Sequence, residues 1–297
     1  MPRKIVVTGG NGQLGKTLSA LCEAGAKPAV LDVAVLDRQQ LDITDSIAIA
    51  SVLGSLKPEC IINAAAYTQV DKAESDSERA FAINETGVAN LASWVAANGG
   101  TLLHVSTDFV FDGKATRPYT ADAAAMPMGI YGRSKLAGEQ QLRRLLPINS
   151  AIVRTSWLYS EYGNNFVKTM LRLMSERDEI GVVNDQVGSP TSTHSLAALL
   201  LTMAHRQFQS GIFHWTDGGA VSWYEFALQI QREGLQQGLL TRKIPVRPLT
   251  TAEYPTPARR PAYSVMDRRR TLSRFSCPRT SWEQELARVI TGLKQQN

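Results

Sequence analysis

The chain has 297 residues, 43% of them hydrophobic and 20% charged, with a formal net charge of +5. Such a composition excludes a disordered or fibrous chain and gives enough residues to bury a sizeable core in one large domain or two. No apolar run reaches the roughly 20 residues of a membrane span, and no long basic run is present, so neither membrane nor nucleic acid is an expected partner.

The first residues, Met1-Pro2-Arg3-Lys4, lead directly into a strand-like segment. They lack the apolar stretch of about 7–15 residues that a secretory signal requires, so a cytoplasmic location is expected. Along the chain follow the strand "KIVVTGG", a helix from about Gly12, the strand "VAVLD", a helix near "SIAIASVLGSL" and the strand "CIINAAA". A helix across "ERAFAINETGVANLASWVAANG", the strand "TLLHVST", a helix at 130–146 and the strand "SAIVRTSWLY" complete the alternation. Strands alternating with helices predict an α/β fold, a Rossmann-type doubly wound parallel sheet covered on both faces.

The second half is less regular, with helices in "NNFVKTMLRLMSER" and "SLAALLLTMAHRQF" and a proline-rich stretch "IPVRPLTTAEYPTPARRP". It reads as a smaller C-terminal α/β lobe interleaved with the sheet. The expected division is a dinucleotide-binding domain over 1–155, joined by a later segment near 190–215, and a substrate lobe formed mainly by 156–297. Cys22, Cys60 and Cys277 cannot all pair and show no CxxC spacing, and the four histidines form no HxxxH pattern. No metal is predicted.

"VVTGGNGQLGKTL" holds two overlapping glycine patterns, Gly10-x-Gly12-x-x-Gly15 and Gly9-x-x-Gly12-x-x-Gly15. The run follows an apolar strand and opens a helix, where backbone without Cβ atoms can approach a pyrophosphate and the helix N-terminus can face its charge. An acidic residue closing the second strand should hold the adenosine ribose. Asp37 is better placed than Asp32, and Arg38 beside it suits a 2′-phosphate, which leaves NADH and NADPH both open.

In "IYGRSKLAGEQQLRRLL" the apolar spacing turns Leu136, Leu142, Leu145 and Leu146 toward a core and leaves Lys135, Glu139, Arg143 and Arg144 in water. Tyr131 and Lys135 lie one turn apart on one helix face. A free phenol, with a pKa near 10, is a poor proton donor at neutral pH; a neighbouring ammonium and an oxidised nicotinamide would lower that value. Such a group can protonate a carbonyl oxygen while hydride reaches the carbon. Ser106, Thr107 and Asp108 end an apolar strand, where parallel sheets bind ligands, and a hydroxyl there can orient the carbonyl.

The glycine run, "INAAAYT", the Ser106-Thr107-Asp108 strand end and Tyr131-x-x-x-Lys135 together resemble the extended short-chain dehydrogenase/reductase superfamily. "LDITD", "AYTQVDKAE", "YGRSKLAGE", "RTSWLY", "GNNFVKTML", "VNDQVGSPT" and "ARRPAYSVMD" narrow the resemblance, over the chain up to about residue 267, to the dTDP-4-dehydrorhamnose reductase family. The resemblance implies NADH- or NADPH-dependent reduction of a dTDP-4-keto-6-deoxy-L-hexose at C4, the last step in making dTDP-L-rhamnose. It implies Tyr131 as proton donor, Lys135 as its tuning cation and ribose contact, and Thr107 as the residue adjusting the tyrosine and touching substrate. Gly9 and Gly12 belong to the implied cofactor loop, with Gln13 and Leu14 on the pyrophosphate. Asp37 is implied on the ribose, Asp42 and Ile43 near the adenine, Ala66, Tyr67 and Thr68 along the cofactor, and Val105 under the nicotinamide. Asp108 and Trp157 are implied contacts of the sugar nucleotide. Members of the family also form homodimers, some of them metal-assisted, but the first helix has no carboxylate near the glycine loop.

Two positions depart from the family pattern: Phe109 stands where tyrosine is commoner, and Gly129 where asparagine is. Phe109 also argues against a dehydratase, which uses Asp-Glu after the threonine, because phenylalanine transfers no proton. A reductase or epimerase of another nucleotide 4-keto sugar would carry the same motifs, and so would much of a non-catalytic, dinucleotide-binding regulatory subunit. The complete Tyr131, Lys135 and Thr107 set favours catalysis over a regulatory role. In the second lobe, Arg259 and Arg260 lie between Pro257 and Pro261, which restrict the backbone. One of the two, with Arg260 preferred, is expected to meet the substrate diphosphate through paired hydrogen bonds. Arg268, Arg269 and Arg270 read as solvated surface, and Trp215, Trp223 and Trp282 as core or interface.

Overall fold

The computed structural model describes residues 2–277 and 279–296. Its centre is a six-stranded sheet of β1 (Arg3–Thr8), β2 (Leu31–Leu36), β3 (Cys60–Asn63), β4 (Thr101–Thr107), β5 (Ser150–Thr155) and a late strand, Gly211–His214. The order runs from Gly211–His214 through β5, β4, β3 and β1 to β2, and every pairing is parallel. β3 and β5 are buried along their whole length, as strands covered on both faces must be.

Between the strands lie α1 (Gln13–Glu23), α2 (Ser46–Leu56), two short helices α3 (Val70–Ala73) and α4 (Ser77–Phe81), α5 (Gly87–Asn98) and α6 (Ile130–Leu145). Asp45 starts α2 by accepting the Ile47 and Ala48 backbone N–H groups with its carboxylate. The long helix expected over 78–99 is interrupted: residues 82–86 form a π-helical turn between α4 and α5. The strand expected over 150–159 is also broken. It stops at Thr155, and Trp157 takes a φ of +48°, an uncommon conformation for a bulky side chain.

The second half builds a smaller lobe around α7 (Phe166–Glu176), a helix at Trp223–Gln236 and a C-terminal helix at Trp282–Gln296. Its core gathers Tyr159, Val167, Met174, Phe226, Ile230, Trp282 and Leu286. The Thr193–His205 helix instead joins the main core, where Leu196, Leu199 and Leu200 pack with Leu14 and Leu18 of α1 and with strand residues. Cys60 is buried in that core, and so is Trp215. Among the described residues, no helix is long and apolar enough to cross a membrane.

The faces of α6 differ from those its periodicity predicts. Lys135 and Glu139 are 2% and 1% exposed, whereas Leu136 and Leu145 are only half-buried. The reason is that the sheet offers this helix polar partners: Val105 and His104 for Lys135, and Ser106 and Arg154 for Glu139. A buried charge that is met by such groups displaces the apolar stripe from its usual place.

Candidate active site

Because all six strands are parallel, their C-terminal ends share one edge, and the chain reverses direction across the sheet between β3 and β1–β2. The glycine run lies at that reversal. Gly9 has a φ of +78°, and a Cβ there would stand 2.7 Å from the Ala65 nitrogen at the end of β3. A Cβ on Gly15 would stand 2.4 Å from the Gly9 carbonyl oxygen. Side chains at either position would therefore fill the cradle. Gly12 is the N-cap of α1 and supplies no capping side chain, so the first-turn N–H groups, those of Gln13 and Leu14 among them, suit a phosphate.

The Gln13 side chain turns elsewhere: its carbonyl oxygen accepts hydrogen bonds from the Ser160 hydroxyl and the Asn165 amide, both at 3.0 Å, tying the glycine loop to the second lobe. Asp37, just after β2, accepts a hydrogen bond from the Asn11 amide at 3.0 Å, and so stands beside the loop. Arg38 is exposed and paired with Asp42 at 2.9 Å, while Ile43 is buried against Gly87. After β3, Tyr67 is buried, Ala66 is half-buried and Thr68 is exposed. The Asn84 side chain, within the π-helical turn, holds both backbone groups of Tyr67 and also donates to Ser134 of α6. These groups, acceptable to a pyrophosphate, a ribose and a flat ring in turn, fit a nicotinamide dinucleotide.

Tyr131 sits in the first turn of α6, packed by Tyr67, Ala73 and Ala80, with Phe109 edge-on at 5.5 Å between ring centroids. Gly129 leaves the helix without a capping side chain, and Glu74 takes that part by accepting the Ile130 N–H at 2.9 Å. The loss of asparagine at 129 is thus compensated from α3's C-terminal side. Burial pushes the Tyr131 phenol up to about 12; the Thr107 hydroxyl opposes the shift and the Asp108 carboxylate adds to it. This differs from the lowered value expected from Lys135. The Lys135 ammonium donates to the Val105 carbonyl at 2.7 Å and lies against His104, and burial takes its own pKa down to about 8 despite Glu139. On the protein's own residues, desolvation sets the direction of the Tyr131 shift, and Lys135 is not among the groups that oppose it.

Thr107 ends β4 and donates to Asp108 at 3.1 Å. Asp108 is 1% exposed; burial raises its carboxyl to about 6 against the opposing Ser264 and Thr107 hydroxyls, and its Oδ2 makes no well-formed hydrogen bond among the described residues. Trp157, beyond the end of β5, is stacked on Trp223 with ring centroids 3.4 Å apart. Arg260 is not free: it grips Asp71 through two hydrogen bonds of 3.0 and 2.8 Å, while Arg259 is exposed. Arg268, expected at the surface, is half-buried and donates to the Thr216 carbonyl, close to the face of Trp215. Asp267 and Asp122 pair with Arg269 and Arg270.

Comparison with known proteins agrees with this geometry. A family model described as the RmlD substrate binding domain matches residues 3–295. The dTDP-4-dehydrorhamnose reductase of Aggregatibacter actinomycetemcomitans is 42% identical over 96% of this chain and 98% of its own. The dTDP-4-keto-6-deoxy-D-glucose reductase of Streptomyces niveus is 38% identical, over 90% of this chain and 89% of its own. A crystal structure of dTDP-4-dehydrorhamnose reductase from Bacillus anthracis in complex with NADP superposes with a TM-score of 0.89 at 39% identity, covering 98% of this chain and 100% of that one. With its glycine cradle, its tyrosine at the sheet edge and these relatives along nearly its whole length, the chain belongs to the dTDP-4-dehydrorhamnose reductase family.

Proposed function

We propose that this protein is the NAD(P)H-dependent reductase that converts dTDP-4-dehydro-L-rhamnose to dTDP-L-rhamnose. The observation that carries the reading is the position of Tyr131: a half-buried residue in the first turn of α6, its phenol beside Thr107 and at the strand edge that holds the glycine cradle. When bound, the reduced nicotinamide supplies hydride to the C4 carbonyl carbon. Gly9, Gly12, Gln13 and Leu14 would hold its pyrophosphate, Asp37 its adenosine ribose, Asp42 and Ile43 the adenine side, and Ala66, Tyr67, Thr68, Val105 and Lys135 the remainder.

Tyr131 would give its phenolic proton to the C4 oxygen as negative charge develops there. A phenol held up at about 12 keeps its proton at neutral pH but gives it up less readily than a free phenol, so the positive charge of the oxidised nicotinamide would be what eases the transfer. Thr107 would orient the carbonyl by hydrogen bonding, and the unpaired Asp108 oxygen is an acceptor for a sugar hydroxyl. Trp157, fixed by stacking, would offer an apolar wall to the sugar nucleotide. Arg260 would reach the diphosphate by exchanging Asp71 for it. The lobe division follows the same reading, with 1–155 and the 190–215 segment around the dinucleotide and the rest of 156–297 around the sugar nucleotide, in the cytoplasm.

The test is a panel of 4-keto nucleotide sugars with NADH and NADPH. Tyr131→Phe should lower turnover by about 10²–10⁴-fold while cofactor affinity stays near normal. Near-normal turnover would end the assignment. Preferential reduction of the D-gluco-configured ketone would instead favour the activity for which the Streptomyces niveus relative is named.

A further inference from the structure

Beneath the site, a buried polar chain crosses the sheet and ends on Lys135. Thr8, Asn63 and His104 occupy neighbouring positions on β1, β3 and β4, and all three are inaccessible to solvent. The Thr8 hydroxyl donates to Asn63 Oδ1 at 2.7 Å, and the Ala65 N–H donates to the same oxygen at 3.2 Å. The Ala65 N–H also reaches the Thr8 hydroxyl oxygen at 3.3 Å, but a turned Asn63 amide would set its NH₂ donor against that N–H at 3.2 Å, so the oxygen faces Ala65 and the NH₂ faces His104. That NH₂ lies 3.1 Å from His104 Nδ1, and His104 Nε2 lies 3.4 Å from Lys135 Nζ.

The proton positions follow. Burial and the Lys135 charge drive the His104 pKa well below its ordinary value, so the ring is neutral and carries one proton. Since Nδ1 accepts from Asn63, that proton sits on Nε2 and points at Lys135 Nζ. An amine offers a lone pair there, whereas an ammonium offers only another N–H. We propose that His104 is a positioning residue for the catalytic pair, whose Nε2–H, fixed by the Thr8–Asn63 relay, opposes the ammonium form of Lys135 and sets the pH at which this group changes charge. Burial by itself already lowers Lys135, and the His104 proton would act in addition to that desolvation.

The other groups around Lys135 do not duplicate this effect. On α6 itself, Glu139 favours the ammonium, but its carboxylate is bound by Arg154 from β5 and by Ser106 from β4. Tyr131 lies one turn earlier, and Asp108 faces that tyrosine from the end of β4. Glu74, from beyond α3, is engaged by the start of α6, and Glu85 of the π-helical turn by Gln141. His104 is the group whose single proton meets Nζ.

The inference rests on the reading of Tyr131 and Lys135 as the catalytic pair, and its test separates the two. Nitrogen-15 NMR of the intact protein should find His104 neutral between about pH 6 and 9, with its proton on Nε2; a proton on Nδ1 would overturn the proposal without any variant. Lysine 13Cε NMR, assigned by the signal lost in Lys135→Arg, gives the Lys135 titration directly. In His104→Gln a carboxamide oxygen can accept from the ammonium, so the midpoint should rise by about one pH unit, a tenfold larger ammonium fraction in the alkaline range. The alkaline limb of kcat/KM should move in the same direction. An unchanged Lys135 midpoint in folded His104→Gln would overturn the proposal even in an active enzyme, whereas a shifted midpoint in an enzyme inert toward keto sugars would uphold it and remove the functional reading instead.

Discussion

Arg154 holds Glu139 through two hydrogen bonds, Nε to Oε1 at 2.9 Å and Nη2 to Oε2 at 2.6 Å, and neither side chain is more than 3% exposed. The pair joins β5 to the buried face of α6, one turn beyond Lys135, and Ser106 adds a third hydrogen bond to the carboxylate. Phe111 covers the guanidinium at 5.1 Å.

Removing one partner of such a pair leaves the other charge buried and uncompensated, which costs roughly 3–5 kcal/mol. Glu139→Gln is therefore expected to lower stability by that order in urea denaturation, and Glu139→Leu with Arg154→Met to recover most of it. A Glu139→Gln protein as stable as the parent would show that the clasp is not what anchors α6.

The glycine cradle was legible in the sequence because its physics is local: Gly9, Gly12 and Gly15 lie within seven consecutive residues between a strand and a helix. The strand ends carrying Asp37 and Thr107 were legible for a similar reason, an apolar run stopping at a polar group. The inner face of α6 was not. Helical periodicity assigns Lys135 and Glu139 to water, and the groups that overrule it, His104, Val105, Ser106 and Arg154, come from strands distant in sequence. The engagement of Arg260 was hidden for the same reason, since its partner Asp71 lies 189 residues earlier. Only the fold reveals such pairs.

The close approach of α6 to its neighbours sets a second expectation. A Cβ on Gly138 would stand 2.0 Å from the Asn84 carbonyl oxygen, and one on Gly132 2.2 Å from that of Phe109. Both obstacles are backbone, so α6 must move, and with it Tyr131 and Lys135. Gly138→Ala and Gly132→Ala should each cost roughly 1–3 kcal/mol or more and reduce kcat. Gly54 of α2 has open space around its Cβ position, so Gly54→Ala should stabilise by about 0.5–1 kcal/mol with activity intact. Calorimetric melting of the three variants decides the matter; equal effects at all three positions would contradict it.

The Asp71–Arg260 pair makes a kinetic prediction. The two side chains are 40% and 26% exposed, so their attraction is worth at most about 1 kcal/mol. If substrate diphosphate displaces Asp71, that energy opposes binding and Asp71→Asn should lower KM for the sugar nucleotide by up to about fivefold. Arg260→Ala should raise KM, with a smaller change in kcat. Steady-state kinetics with KM unaltered in both variants would remove Arg260 from the substrate site.

Asp217 supplies an expectation about pH. It is fully buried, accepts hydrogen bonds from the Ser192 N–H at 2.7 Å and from the Ser195 hydroxyl, and burial raises its carboxyl from 3.8 to about 7. Between those values the folded protein keeps a proton that the unfolded chain has lost, so this group's stabilising contribution is complete below about pH 4 and falls away as the pH rises toward 7. Asp108, raised to about 6, acts in the same direction over a narrower range and is present in both proteins of the comparison. Asp217→Asn carries no proton to lose. The stability of the parent minus that of Asp217→Asn should therefore decrease from about pH 4 to pH 7, by no more than about 1.4 kcal/mol per pH unit, and level off above about pH 8. Urea denaturation of both proteins at intervals across this range measures the difference, and a flat or rising difference would mean that Asp217 is already ionised in the fold at low pH.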